Sequence, residues 1–146
     1  MKLRRTDSYQ VGGTHYNDMA IQPVVLWDSY LLFGHEAVIS KYACRWKSKG
    51  GRQDLSKAVH HCEFLLDSAA RAGEARRLLA EHFDMGKIIS VAEFIDANSI
   101  PGHEGEALIN ICQWAMSGDE GFVRNARNAI IELIHVERTR NQERPR

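Results

Sequence analysis

Apolar residues recur along the chain at helical spacing, and sustained apolar/polar alternation of the strand type is nearly absent. There is no Asn-Gly or Asp-Gly hairpin turn. Pro23 suits a first helical position, and Val24 to Leu32 follow it. From His35 to Lys49 the apolar set Val38, Ile39, Tyr42, Ala43 and Trp46 predicts a second helix. Gly50-Gly51 ends it, because Gly tolerates the left-handed backbone of a helix end. Asp54 is placed to cap the next helix, whose stripe is Leu55, Ala58, Val59, Cys62, Leu65, Leu66 and Ala69. Gly73 is expected to break or bend that helix, which resumes through Leu78-Leu79. Ser90-Val-Ala-Glu93 reads as a capping box opening a short helix to about Asn98. Pro101-Gly102 is a turn, His103 to Met116 is helical in pattern, and Ser117-Gly118 interrupts it. A last helix is expected from about Gly121 to Arg138, followed by the polar and frayed tail NQERPR.

The two halves resemble each other at a shift of 68 residues. Ile21, Asp28, Gly34, His35, Glu36, Cys44, Trp46, Gly50, Ala58 and Leu65 all fall on the same residue type 68 positions on. These are ten identities in the 46 positions from Ile21 to Leu66, where chance supplies roughly three. Shared Leu and Ala come from helical composition; matched Cys, Trp and a Gly-His-Glu triplet do not. The expectation is an all-α chain of two tandem helical repeats packed as one pseudo-symmetric body. Its parts are residues 1–70, a helical connector 71–87, a degenerate second copy 88–138 and a flexible tail 139–146.

Composition narrows the class. The 146 residues carry 19 basic and 19 acidic side chains, so no global field draws the chain onto nucleic acid or an anionic membrane. No apolar run reaches the roughly 18 residues of a membrane span. The basic N-terminus has no apolar stretch behind it and is not read as a signal peptide. Three widely spaced cysteines, Cys44, Cys62 and Cys112, fit reduced thiols in a cytoplasm. Neither membrane nor nucleic acid is expected as a partner.

Charge separates the two copies. The first carries Lys41, Arg45, Lys47, Lys49, Arg52 and Lys57 against one acid, Asp54. The second has Ile109, Gln113, Ala115, Ser117, Glu120 and Asn125 at those positions, with Phe122 for Asp54. Lys41, Arg45 and Lys49 are four residues apart and line one stripe leading to Gly50-Gly51. There an anion would meet backbone N–H groups and the positive start of the next helix. Arg45 would grip two oxygens in its planar fork while the lysines act as point charges. The alternative is a solvated helix face. Gly12-Gly13-Thr14-His15-Tyr16 either folds over a ligand, stacking His15 or Tyr16 on a base, or tucks against the core.

Other motifs are weak. Neighbours on a helix point about 100° apart, so His60, His61 and Cys62 make poor joint zinc ligands. Cys44, Cys112, Trp46 and Trp114 are expected as core residues. No G-x-x-x-x-G-K-[ST] loop exists; Gly34 to Lys41 has only its length. The E-x-x-E pairs with which all-helical pyrophosphohydrolases hold Mg²⁺ are not matched, since Glu36 has no acidic residue three positions on.

Val11-Gly-Gly-Thr-His-Tyr16, Ile21-Gln-Pro23, Lys41-Tyr-x-x-Arg45-x-Lys-x-Lys-Gly-Gly51, Asp54-Leu-x-Lys-Ala58 and His61 together resemble the SaV-like phage family. That family is described as a domain of unknown function and includes a small podoviral nucleotide kinase. The resemblance covers about residues 9 to 70. It implies a phage protein of the infected bacterial cytoplasm, a helical domain that assembles at least as a dimer, and phosphorylation of deoxynucleoside monophosphates without a P-loop. ATP and Mg²⁺ would be the co-reactants. Lys41, Arg45 and Asp54 are the implied catalytic residues. Lys49, Gly50, Gly51, Lys57, His15 and Tyr16 join Lys41 and Arg45 in holding substrate. Asp54 either orients Mg²⁺ or only caps its helix. Gly34-His35-Glu36-Ala37 departs from the Gly-Asn usual in the family, which bears on catalysis more than on binding. Two other readings stand beside a kinase. One is a protein that captures nucleotides without turnover, sequestering host signalling nucleotides. The other is a structural protein whose basic stripe meets an acidic partner.

Overall fold

Pro23 supplies a pre-set φ and no N–H, and the first helix starts on it. The computed structural model describes residues 19–143. Within them the chain forms α1 (Pro23–Tyr30), α2 (His35–Arg45), α3 (Gly51–Asp67), α4 (Ala69–His82), α5 (Val91–Ala97), α6 (Gly102–Ser117) and α7 (Glu120–Glu143), with no strand among the described residues. The protein is all-α. No helix of the described residues is long and apolar enough to cross a membrane.

Several elements follow the local chemistry read from the sequence. Ser90 accepts from the Glu93 N–H and Glu93 accepts from the Ser90 N–H, closing the capping box of α5. Gly118, at φ 68°, ends α6 with its N–H on the Trp114 carbonyl. Other elements differ. The break after α3 falls at Ser68, not at Gly73. Helix α2 stops at Arg45, and residues 46–50 form a turn closed by the Gly51 N–H on the Trp46 carbonyl at 2.7 Å. Gly51 stands at φ 58° and opens α3, so Asp54 lies inside the first turn and caps nothing. The last helix runs on through the expected tail to Glu143.

Gly73 sits within α4, where that helix crosses the end of α6. A Cβ on Gly73 would overlap the Gly118 carbonyl oxygen, and a Cβ on Gly118 would overlap the Gly73 carbonyl oxygen. The two glycines let the backbones touch. Gly73→Ala should therefore destabilise by about 1–3 kcal/mol through overpacking, although Ala is the better helix former by roughly 1 kcal/mol. Urea denaturation measures this, and an unchanged or raised midpoint would show that the helices have room.

A single core joins both halves. Leu26, Ile39, Leu55 and Cys62 from the first half meet Phe94, Leu108, Ile111, Trp114, Val123 and Ile130 from the second. Helix α3 packs along α7, and α4 packs on α6. The halves thus supply each other with the buried surface that about 60 residues alone would struggle to provide. The starts of α1 and α5, α2 and α6, and α3 and α7 lie 68, 67 and 69 residues apart.

An ionic link crosses this core. Arg76 of α4 donates through Nη1 to Glu36 of α2 at 3.2 Å. The other Glu36 oxygen accepts from the indole N–H of Trp114 at 2.7 Å. The reverse link is not made. The Trp46 indole nitrogen is buried without a hydrogen-bond partner among the described residues, and Glu104 instead faces Lys47 at 3.5 Å.

Candidate functional site

Helices α2 and α3 lie antiparallel: Arg45 meets Asp54, Tyr42 meets Lys57, and His35 meets Phe64. This register gathers the cations at the end nearest the turn. The Lys41 ammonium and the Arg45 guanidinium each lie 4.9 Å from the centre of the Tyr42 ring, and the Lys57 ammonium lies 5.9 Å from it. Burial pushes the Lys41 ammonium below its ordinary pKa of 10.5; Arg45, Lys49 and Lys57 push the same way, and Asp54 opposes them. Three neighbouring cations thus act against the Lys41 charge and one carboxylate acts for it.

Asp54 is that carboxylate. Its Oδ2 accepts from Arg45 Nε at 3.2 Å, with 4% of the Asp54 side chain exposed and 16% of the Arg45 side chain. It stands in the first turn of α3, where a negative charge complements the helix dipole. It also lies over the α-carbon of Gly50, leaving no room for a side chain there. The place at the start of α3 that the sequence offers to an external anion is taken by the chain's own carboxylate. Beyond Gly51 the space is open. An incoming phosphate would therefore meet Lys41, Lys57, Lys49 and the remaining Arg45 nitrogens. Lys47 faces Glu104 rather than this cluster. His15, Tyr16, Gly12 and Gly13 lie outside the described residues.

The opposite end of the hairpin holds a group that sequence reasoning missed. His35 Nδ1 and His61 Nδ1 are 2.8 Å apart, so one must donate and the other accept. The Phe64 ring stacks on His35 at 5.3 Å between centres, and its edge contacts involve His60 at 4.7 Å and His61 at 5.9 Å. Burial lowers the His61 pKa, helped by His35 and His60 and by Lys41 from the cationic end. The only sequence signal was the i, i+3/i+4 spacing of His60, His61 and Phe64.

The remaining candidates separate. Cys62 is fully buried in the core while His60 is exposed, so that triplet does not converge. No group of three or more His, Cys, Asp or Glu able to hold a metal occurs among the described residues. Burial pushes the Cys44 and Cys62 thiols up to about 12 and raises Cys112 as well, which makes them poor nucleophiles. Trp46 and Trp114 are both buried core residues.

In the second half the face at equivalent positions is a shallow cavity lined by His103, Glu106, Asn110, Asn125, Asn128 and Glu132. Amides and carboxylates stand there where the first half has cations and aromatic rings. No family model, no curated protein and no solved structure matches the chain.

Proposed function

We propose that the α2–α3 hairpin binds the phosphate of a nucleotide. The observation that supports this best is the gathering of Lys41, Arg45 and Lys57 around Tyr42, with Lys49 acting on Lys41, against a single, already paired carboxylate. An anion relieves that repulsion, and displaced like charges are a common mark of a binding site. The near-constant offset of helix starts supports a duplication in which the fold was kept twice and the cationic face once.

The resemblance to the phage kinase family makes deoxynucleoside monophosphates the first ligands to test and phosphoryl transfer from ATP the first reaction. Such transfer rests on positioning and charge stabilisation, which Lys41, Arg45 and Lys57 supply. Mg²⁺ fits less well. The described residues bring only Asp54 to this face, and Arg45 already holds it. We therefore favour capture of the nucleotide over its turnover.

A thermal-shift screen of nucleotides tests the reading, followed by assay of each ligand found for ATP-dependent phosphorylation. Capture predicts a rise in melting temperature with deoxynucleoside monophosphates and no ADP release. Formation of the deoxynucleoside diphosphate together with ADP makes the chain a kinase. A screen without any shift rejects a nucleotide site.

A further inference from the structure

We infer that the exposed part of Phe64, with His35 stacked on the ring and His61 beside it, is the platform on which the base of the bound nucleotide stacks. This inference rests on the phosphate reading of the cationic end. Phe64 is 44% exposed, and what sets it apart from the more exposed Phe33 and Phe83 is the cluster of three imidazoles around it. It is not a loose side chain. His35 stacks on it, and His60 and His61 lie steeply inclined to it at 4.7 and 5.9 Å between ring centres. The His35–His61 hydrogen bond fixes both imidazoles, so the rings present one pre-arranged aromatic surface.

The spacing suits a nucleotide. His35 and Lys41 are six residues apart on α2, about 9 Å along its axis. That is the scale of a sugar held between a base and its 5′-phosphate. Lys41 lies near enough to His61 to act on its charge, which places the two ends on one surface. Every base has an aromatic face, so such a platform binds all bases and adds affinity without strict selection. The second half lacks it: Glu132 stands at the position equivalent to Phe64, and Ala129 at that of His61.

The test compares the four deoxynucleoside monophosphates with 2-deoxyribose 5-phosphate, which has the phosphate and sugar but no base. Calorimetry on the wild type should show the monophosphates binding on the order of ten-fold tighter or more, the usual worth of one stacked base. Phe64→Ala should erase that gap and leave the affinity for deoxyribose phosphate unchanged. Phe64→Trp should keep or widen it, which guards against a misfolded Ala variant. Glu132→Ala should change neither. If deoxyribose phosphate binds and the gap survives Phe64→Ala, the platform is refuted while the phosphate site stands. If neither deoxyribose phosphate nor any monophosphate binds, both fall.

Discussion

Arg76→Ala is expected to destabilise the protein by about 3–5 kcal/mol, measured as the change in unfolding free energy in urea. Arg76 is 2% exposed and spends every nitrogen on the fold. Nε donates to the Ala115 carbonyl at 3.0 Å, Nη2 to the Tyr30 carbonyl at 2.7 Å, and Nη1 to both the Leu31 carbonyl at 2.7 Å and Glu36 at 3.2 Å. The Tyr30 and Leu31 carbonyls belong to the end of α1, where helices leave acceptors unfilled and favour a cation. Truncation leaves three carbonyls and a buried carboxylate short of donors, and a cavity besides. The intact pair is not itself a large source of stability. Burial raises the Glu36 pKa above its ordinary 4.5 and lowers that of Arg76, and the attraction between them opposes both shifts without reversing either. The folded state therefore holds the Glu36 proton more tightly than the unfolded chain. This one group favours folding most below its ordinary 4.5 and loses that contribution as pH rises through the raised value. Glu36→Gln leaves one acceptor oxygen and turns its amide N–H₂ toward either Arg76 or Trp114, so it should itself destabilise the fold while removing this pH dependence. An Arg76→Ala variant within about 1 kcal/mol of wild type would mean that the network is not closed to water.

The helices were legible where a local rule governs them and illegible where the cause is a contact between elements. Pro23, the Ser90–Glu93 box and Gly118 each act within one turn of chain, and each does what its type implies. Ser68 carries no strong breaking signal, and local propensity points to Gly73 instead as the break after α3. The role of Gly73 depends on α6 lying against it, which no window of sequence contains. Buried charge is similarly hidden, because periodicity treats Glu36 as an exposed residue. A trace of it was present all the same. The first half's cations vanish in the second half, whereas Glu36 recurs as Glu104, and both are buried. A charge retained where its neighbours are lost is a charge held by the fold. The cationic stripe of α2 was visible from spacing alone. Its pairing with Asp54 and the His35–Phe64–His61 group required the antiparallel register of α2 and α3.

Arg45→Ala is expected to weaken binding of deoxynucleoside monophosphates by roughly 10- to 150-fold, or about 1.5–3 kcal/mol for a charge-assisted contact. Lys49→Ala should cost less, because an exposed ammonium is a solvated point charge. Gln113→Ala, at the equivalent place in the second half, should leave affinity nearly unchanged. The sequence alone suggests that none of these changes affects stability. The structure corrects that for Arg45, whose Nε holds the buried carboxylate of Asp54. Leaving that carboxylate unpaired costs about 1–3 kcal/mol of stability, so the loss of affinity in Arg45→Ala mixes two effects. Asp54→Asn separates them. It removes the competing negative charge, keeps an acceptor for Arg45, and frees the guanidinium to turn toward phosphate. Affinity should then rise above wild type while Arg45→Ala falls below it. Calorimetry with melting temperature recorded for every variant decides the matter. Weaker binding in Asp54→Asn would mean that the carboxylate holds Arg45 in its binding posture. Equal losses for Arg45→Ala and Gln113→Ala would place the ligand across both halves. No loss at either Arg45 or Lys49 would leave the stripe as the solvated face of a helix, since a phosphate cannot sit among these cations without feeling the removal of one.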